Sequence, residues 1–241
     1  MSLTAVIAYS ALLLVGGVFS TVSGGGLGIL TIVLGTFFLD PRLSIIFASV
    51  LLLSIQIAKV WHFRRFVRWD IAKWYILSGI PMSYLGGVLL FTVPPRIPAV
   101  LLGITCIGFV AMRFWKFAPR LDASKATLIL SGGVNGFIGG FVGNAALIRM
   151  PALLSMGLSK EVFVGTSAVI GLLMNLAKVT AYVPNIPFTR NVILLLVIST
   201  PIVLLSVKIG KWLLRYVSVA LFEDLQLIVI LMGAIKLLLF P

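Results

Sequence analysis

Histidine and cysteine occur once each in this 241-residue sequence, and carboxylates are scarce, with six Asp and Glu against nineteen Lys and Arg. A lone cysteine, Cys106, rules out a disulfide within the chain and a cysteine metal cluster, so neither redox chemistry nor a metal site is expected. With one histidine and no spaced carboxylate pair, a membrane-embedded enzyme acting on lipid would lack its nucleophile, base or metal ligands. No catalytic residue and no cofactor are assigned, and the chain reads as a non-enzyme. Charge is thin at 10% of residues, whereas 61% are hydrophobic and mean hydropathy is +1.20, far outside the range of a soluble domain. This is the composition of an all-α integral membrane protein, with the lipid bilayer as its surroundings. The +13 net charge would suggest nucleic acid in a soluble protein. Here the basic residues collect in short loops between apolar runs, as the positive-inside rule expects, and nucleic-acid binding is set aside.

Apolar runs long enough to cross a bilayer, which takes about 20 helical residues, lie near 3–22, 42–61, 71–92, 98–115, 126–142, 160–182, 191–208 and 219–239. The first lacks a basic leader and is read as mature protein rather than a cleaved signal. Two shorter pieces, near 27–39 and 144–157, follow glycine-rich stretches and are too short to span unaided. Basic clusters at 62–73, 113–125 and 208–215 are placed in the cytoplasm. The proline-rich, nearly uncharged loops at 94–98 and 184–188 go outside, and so do both termini. The expected location is the cell (inner) membrane, as a multi-pass protein.

Sliding the chain by 119 residues brings Gly17 onto Gly136, Gly24 onto Gly143, and Ala58-Lys59-Val60 onto Ala177-Lys178-Val179, with ten identities across 17–60. Lysine pairs in apolar helices are rare, which favours a true repeat. Residues 1–118 and 119–241 are therefore expected to form two repeats within one transport domain. Loop charges start the first half outside and the second inside, so the repeats have inverted topology, a hallmark of secondary transporters with a midplane site between the halves. Eight full spans and two short broken or re-entrant helices complete the expected fold.

Twelve of the 23 glycines sit in two matching windows, at 16–28 and 132–143. Gly132, Gly136 and Gly140, at i, i+4 and i+8, suit close helix packing. Ser23-Gly24-Gly25-Gly26 is different, because three adjacent glycines face different directions and each weakens a helix by about 1 kcal/mol. A break fits better there. Irregular backbone at membrane depth is tolerated when it is buried in protein or lines a wet cavity. Each break precedes a short helix whose free N–H groups and positive dipole end suit an anion. Two half-helix N-termini converging on a negatively charged substrate are thus expected, with Gly24, Gly25, Gly26 and Gly143 at the breaks and Ser23 and Asn144 beside them.

The opening SGGGLG, the short helix after it, the basic loop after the next span, and the second copy GGFVGNAALIRMPALLSMGLSKEVFVGTSAV, with Pro151 and Gly165-Thr166-Ser167, resemble the TauE/SafE family of membrane proteins. The resemblance covers nearly the whole chain and implies a transporter of small sulfur-containing anions of the sulfite, sulfonate or thiosulfate class.

Lys59 and Lys178 occupy equivalent repeat positions, each with a carboxamide one turn earlier, Gln56 and Asn175. Either lysine can snorkel to an interface or line a substrate path. Arg149 falls in the second short segment, where a guanidinium needs an anion or an acid such as Glu161. Thr166 and Ser167 can bond an oxyanion or a neighbouring helix. All six acids fall at helix ends or loops, so no mid-membrane carboxylate marks a proton or sodium site. A monoanion leaving a cell with a negative interior gains about 2.3 kcal/mol per 100 mV, roughly a fortyfold gradient without a coupling ion. Outward transport by alternating access is the expected function. An uptake carrier or channel for another small anion is the alternative, and oligomeric state is left open, a homodimer included.

Overall fold

A computed structural model of the chain describes residues 14–15, 18, 27–36, 40–114, 122, 124–143, 148–149, 152–153, 156–186, 190–213, 227–228, 230–232, 234–235 and 237–239. Its helices are α1 (Leu27–Gly35), α2 (Pro41–Phe63), α3 (Trp69–Thr92), α4 (Arg96–Phe114), α5 (Lys125–Val142), α6 (Lys160–Tyr182) and α7 (Arg190–Leu213), with short 3-10 turns at Arg64–Phe66 and Val183–Asn185. No strand occurs among the described residues. Helices α2 to α7 coincide with six of the eight expected apolar runs. The stretches Pro41–Trp61, Trp69–Thr92 and Glu161–Asn185 are long and apolar enough to cross a membrane. Large apolar side chains stay exposed along them and their neighbours, Leu77, Leu85 and Leu130 among them, which suits a lipid surround. The run at 3–22 lies largely outside the described residues and that at 219–239 about half outside them, while Ser23, Gly24, Gly25, Gly26, Asn144 and Pro151 lie outside.

Local sequence explains where the helices start and stop. Asp40 precedes α2 and its carboxylate accepts from the Leu43 N–H at 3.4 Å, while Pro41 takes the first helical position, where no backbone donor is needed. At α5 the Ser124 hydroxyl accepts from the Thr127 N–H at 3.3 Å. Asp122 accepts from the hydroxyls of Thr127 at 2.5 Å and Ser124 at 3.2 Å, and the Thr127 bond holds its carboxyl below the usual range. The other end of α5 is a glycine break: Gly143 adopts φ 93°, the left-handed region glycine enters without a Cβ penalty, and its N–H bonds back to the Gly139 carbonyl at 3.0 Å. Helix α1 begins one residue after Gly26 and runs nine residues, about 13.5 Å, less than half the hydrocarbon thickness.

The chain divides into two compact units. One holds Met1–Leu51, Pro95–Val110 and Ile186–Pro241; the other holds Leu52–Pro94 and Ala111–Asn185. Both sequence halves contribute to each. In the first, Gly103 admits the Leu238 side chain, to which an added Cβ would approach within 2.9 Å.

The second unit is built on a glycine seam. A methyl on Gly132 would strike the Tyr75 carbonyl, on Gly136 the Gly79 carbonyl and on Gly140 the Ser83 carbonyl, while on Gly86 it would strike the Phe137 carbonyl. The expected packing role of Gly132, Gly136 and Gly140 is what these contacts display, with the backbones of α3 and α5 touching. Because 75 pairs with 132, 79 with 136 and 83 with 140, the two helices run parallel, each leaving a basic loop. Ser78 donates to the Ile129 carbonyl at 2.5 Å across the same seam. Helix α6 also lies parallel to α3, since Thr166 meets Arg68, Met174 meets Ser83 and Lys178 meets Gly87 in ascending order. The end of α2 runs opposite, with Phe63 against Gly165 and Gln56 against Gly171. Ile71, Tyr75, Leu128, Leu153, Val169, Ile170 and Met174 fill the core between them.

Candidate functional site

Gly171 is the middle residue of the 23-residue α6, and the polar side chains of the second unit gather there. The Arg149 guanidinium and the Gln56 amide both reach the space where a Gly171 side chain would stand. Arg149 Nε donates to Ser167 Oγ at 3.1 Å, one turn earlier on α6. Tyr75, fully buried on α3, lies within electrostatic range of Arg149, and its hydroxyl has no hydrogen-bond partner. Gln56 Oε1 and Asn135 Oδ1 are also buried and unpartnered, although Asn135 Nδ2 donates to Met174 Sδ at 3.2 Å. Buried polar groups are normally satisfied, so open ones on Gln56 and Tyr75 in the neighbourhood of a cation need an explanation.

Charge balance sharpens that need. Arg149 is 8% exposed and Lys178 3% exposed, and the two interact electrostatically, as do Arg149 and Lys59, whose own side chain is exposed. The described acids, Asp40, Asp70, Asp122 and Glu161, are all exposed. Among the described residues the one ion pair is Arg68 with Asp70 at 2.6 Å, away from this cluster on an exposed loop. The alternative partner for Arg149, Glu161, therefore does not pair with it. Among the described residues no carboxylate is buried with these two cations, and removing a charge from water without an opposite charge costs several kcal/mol.

Lys178 has a definite job in this structure. Its ammonium donates to the Gly143 carbonyl, the last one before the chain leaves α5, and Tyr182, one turn on, donates to the Gly140 carbonyl at 2.5 Å. The C-terminal end of α5 carries free carbonyls and a negative dipole end, which a cation and a hydroxyl complement. Lys178 stands 18 residues up α6 from Lys160, about 27 Å at 1.5 Å per residue. Gly143 is thus near one end of α6 while Lys160 begins the other, and Arg149, between them in sequence, lies beside the middle of α6. Tyr182→Phe keeps the edge contact with Phe91, whose ring centre is 5.8 Å away, and removes the bond to Gly140. It should lower stability by about 1 kcal/mol, read as a fall in the melting temperature of detergent-solubilised protein.

The remaining expected residues fall as follows. Thr166 is fully buried and its hydroxyl accepts from the Arg68 N–H at 3.0 Å, which ties the basic loop to α6. Asn175 is buried on α6 one turn before Lys178. Gly143 stands at the break itself. Gly171, Tyr75, Tyr182 and Asn135 belong to the cluster or its frame but carry no signal in the sequence. A glycine or tyrosine inside an apolar helix looks like packing until the facing atoms are known.

A family model described as sulfite exporter TauE/SafE matches residues 9–237. No curated protein and no solved structure matches the chain.

Proposed function

Since this chain belongs to the sulfite exporter TauE/SafE family, we propose that it moves a small sulfur-containing anion, sulfite, a sulfonate or thiosulfate, outward across the cell membrane by alternating access. The observation that carries this reading is the buried guanidinium of Arg149, beside the middle of α6 and without an acid to pair with among the described residues. An anion supplies the missing charge. The planar fork of Arg149 suits tetrahedral or pyramidal oxyanions in two-point contact. The amide of Gln56 and the hydroxyls of Ser167 and Tyr75 stand around it as further hydrogen-bonding groups. Because Gly171 bisects a helix long enough to span, the same position answers to the midplane site of inverted-repeat carriers.

In this scheme Asn175 and Lys59 line the path beside Arg149, and Lys178 exchanges the Gly143 carbonyl for an oxygen of the passing anion. The end of α5 is released as the anion arrives and recaptured as it leaves. Thr166 keeps the basic loop in register on the cytoplasmic side. The first copy contributes its own break at Ser23 and Gly24 to Gly26, ahead of the N-terminus of α1, and the second contributes Gly143 and Asn144. The two repeats, 1–118 and 119–241, alternate around the bound anion.

No carboxylate lies in the apolar interior of the sequence, so the membrane potential alone suffices to drive a monoanion outward. Proteoliposomes loaded with labelled sulfite should release it faster when a potassium diffusion potential makes the lumen negative. The gain expected is up to about fortyfold in the limiting gradient per 100 mV. Release that requires a pH gradient at zero potential, with no response to voltage, contradicts uncoupled export.

A further inference from the structure

What an added methyl group would meet differs among the described glycines, from open space at Gly108 to main chain or side-chain ends elsewhere. At Gly132, Gly136 and Gly140 it meets main-chain atoms of α3, which cannot yield without parting the helices. At Gly171 the three nearest atoms belong to side-chain ends: Gln56 Nε2 at 2.5 Å, an Arg149 guanidinium nitrogen at 3.1 Å and Gln56 Cδ at 3.2 Å. Both side chains are long and can swing aside. The Gly171 backbone is ordinary helix, since the positive-φ glycines are Gly143 and Gly157, so alanine fits its conformation. Glycine in mid-helix is unfavourable relative to alanine. What the missing side chain provides at this position is room, and two polar groups occupy it.

We infer that Gly171 is a positioning residue of the anion site: its bare Cα lets the Gln56 amide and the Arg149 guanidinium converge at the middle of α6, and any side chain there drives them apart. The inference rests on the anion-transport reading above, but makes a separate claim about one residue that touches no anion itself. It also separates folding from binding. A methyl at Gly171 displaces the ends of Gln56 and Arg149 by a fraction of an ångström to more than one, enough to spoil a two-group clamp, while the helix around it gains propensity.

The test is Gly171→Ala, purified in detergent, with sulfite binding followed by calorimetry and folding by thermal melting, beside wild type, Gln56→Ala and the double variant. Gly171→Ala is expected to melt at or above the wild-type temperature and to bind sulfite about tenfold more weakly, the scale of one misplaced charge-assisted hydrogen bond. In the Gln56→Ala background, where the nearer of the two contesting groups is gone and only the Arg149 nitrogen at 3.1 Å remains, the same methyl should weaken binding by no more than about threefold, a non-additivity that a purely structural defect does not produce. Wild-type affinity in Gly171→Ala overturns the inference and leaves the anion site standing. A full tenfold loss in the Gln56→Ala background overturns it as well, as does loss of the folded protein in Gly171→Ala, because main chain rather than side-chain ends would then oppose the methyl. If wild type binds neither sulfite nor thiosulfate nor methanesulfonate, the anion-transport reading itself fails.

Discussion

Arg149→Met should reduce sulfite efflux about a hundredfold or more and leave the protein at least as stable as wild type. The first half follows from the loss of two or more charge-assisted hydrogen bonds to the anion, each worth about 1.5–3 kcal/mol. The second half is the more discriminating. A buried ion pair broken on one side normally destabilises a protein by about 3–5 kcal/mol, because the surviving charge is stranded. Arg149 pairs with no carboxylate among the described residues; its bond is to the neutral Ser167 hydroxyl. Methionine has a similar length and no charge to desolvate, and such replacements are often neutral or stabilising by about 1–4 kcal/mol. The paired measurement is liposome efflux and thermal melting on the same preparation. A variant that still transports removes Arg149 from the site. One that unfolds shows the guanidinium is held by the protein rather than by its cargo.

Gly136→Val should prevent recovery of folded protein altogether. A Cβ at this position runs into the Gly79 carbonyl oxygen and comes within 3.0 Å of the Gly79 carbonyl carbon and Cα. The colliding atoms are all main chain, so α3 and α5 must separate along a seam that also includes Gly132 and Gly140. Overpacking that side chains can partly absorb already costs about 1–3 kcal/mol, and here there is no flexible group to absorb it. Gly133→Ala is the matched control, three residues away on the same helix, where an added methyl meets only ordinary contacts at 3.7–3.8 Å with Ser78 and Met82. Size-exclusion profiles of the two variants should differ between aggregate and a single symmetric peak. Equal recovery of both would mean the seam is looser than its geometry states.

What was legible in the sequence follows from how each feature acts. Helix positions were readable because a bilayer imposes a minimum apolar length, and α2 to α7 lie where the runs lie. The end of α5 at Gly143 was readable because glycine in a left-handed turn has few substitutes. Lys178 and Arg149 stood out because ionisable groups in apolar segments demand a reason. Their partners did not stand out. Lys178 is held by a carbonyl of another helix, and every residue has a carbonyl, so no residue type could announce that bond. The sequence allows the Thr166 hydroxyl an anion or a neighbouring element of the protein, and it does not name the Arg68 N–H, 98 positions away, from which that hydroxyl accepts. Gly171 was invisible for the opposite reason, since its contribution is an empty volume whose meaning depends on two side chains from elsewhere. Chemistry of side chains can be read along a chain; space between them cannot.

The seam of carbonyls against glycines also bears on movement. Helices α3 and α5 interlock over three successive steps, glycine against main-chain carbonyl, and the Ser78 hydroxyl bonds across the same seam. They form a single strut, and a carrier that rocks between two openings must carry it intact. Flexion is left to the hinge just past it, at Gly143, where one ammonium group fastens the end of the strut to α6. A spin label pair placed on the exposed flanks of α3 and α5, at Leu85 and Leu130, should therefore hold one distance through the whole transport cycle.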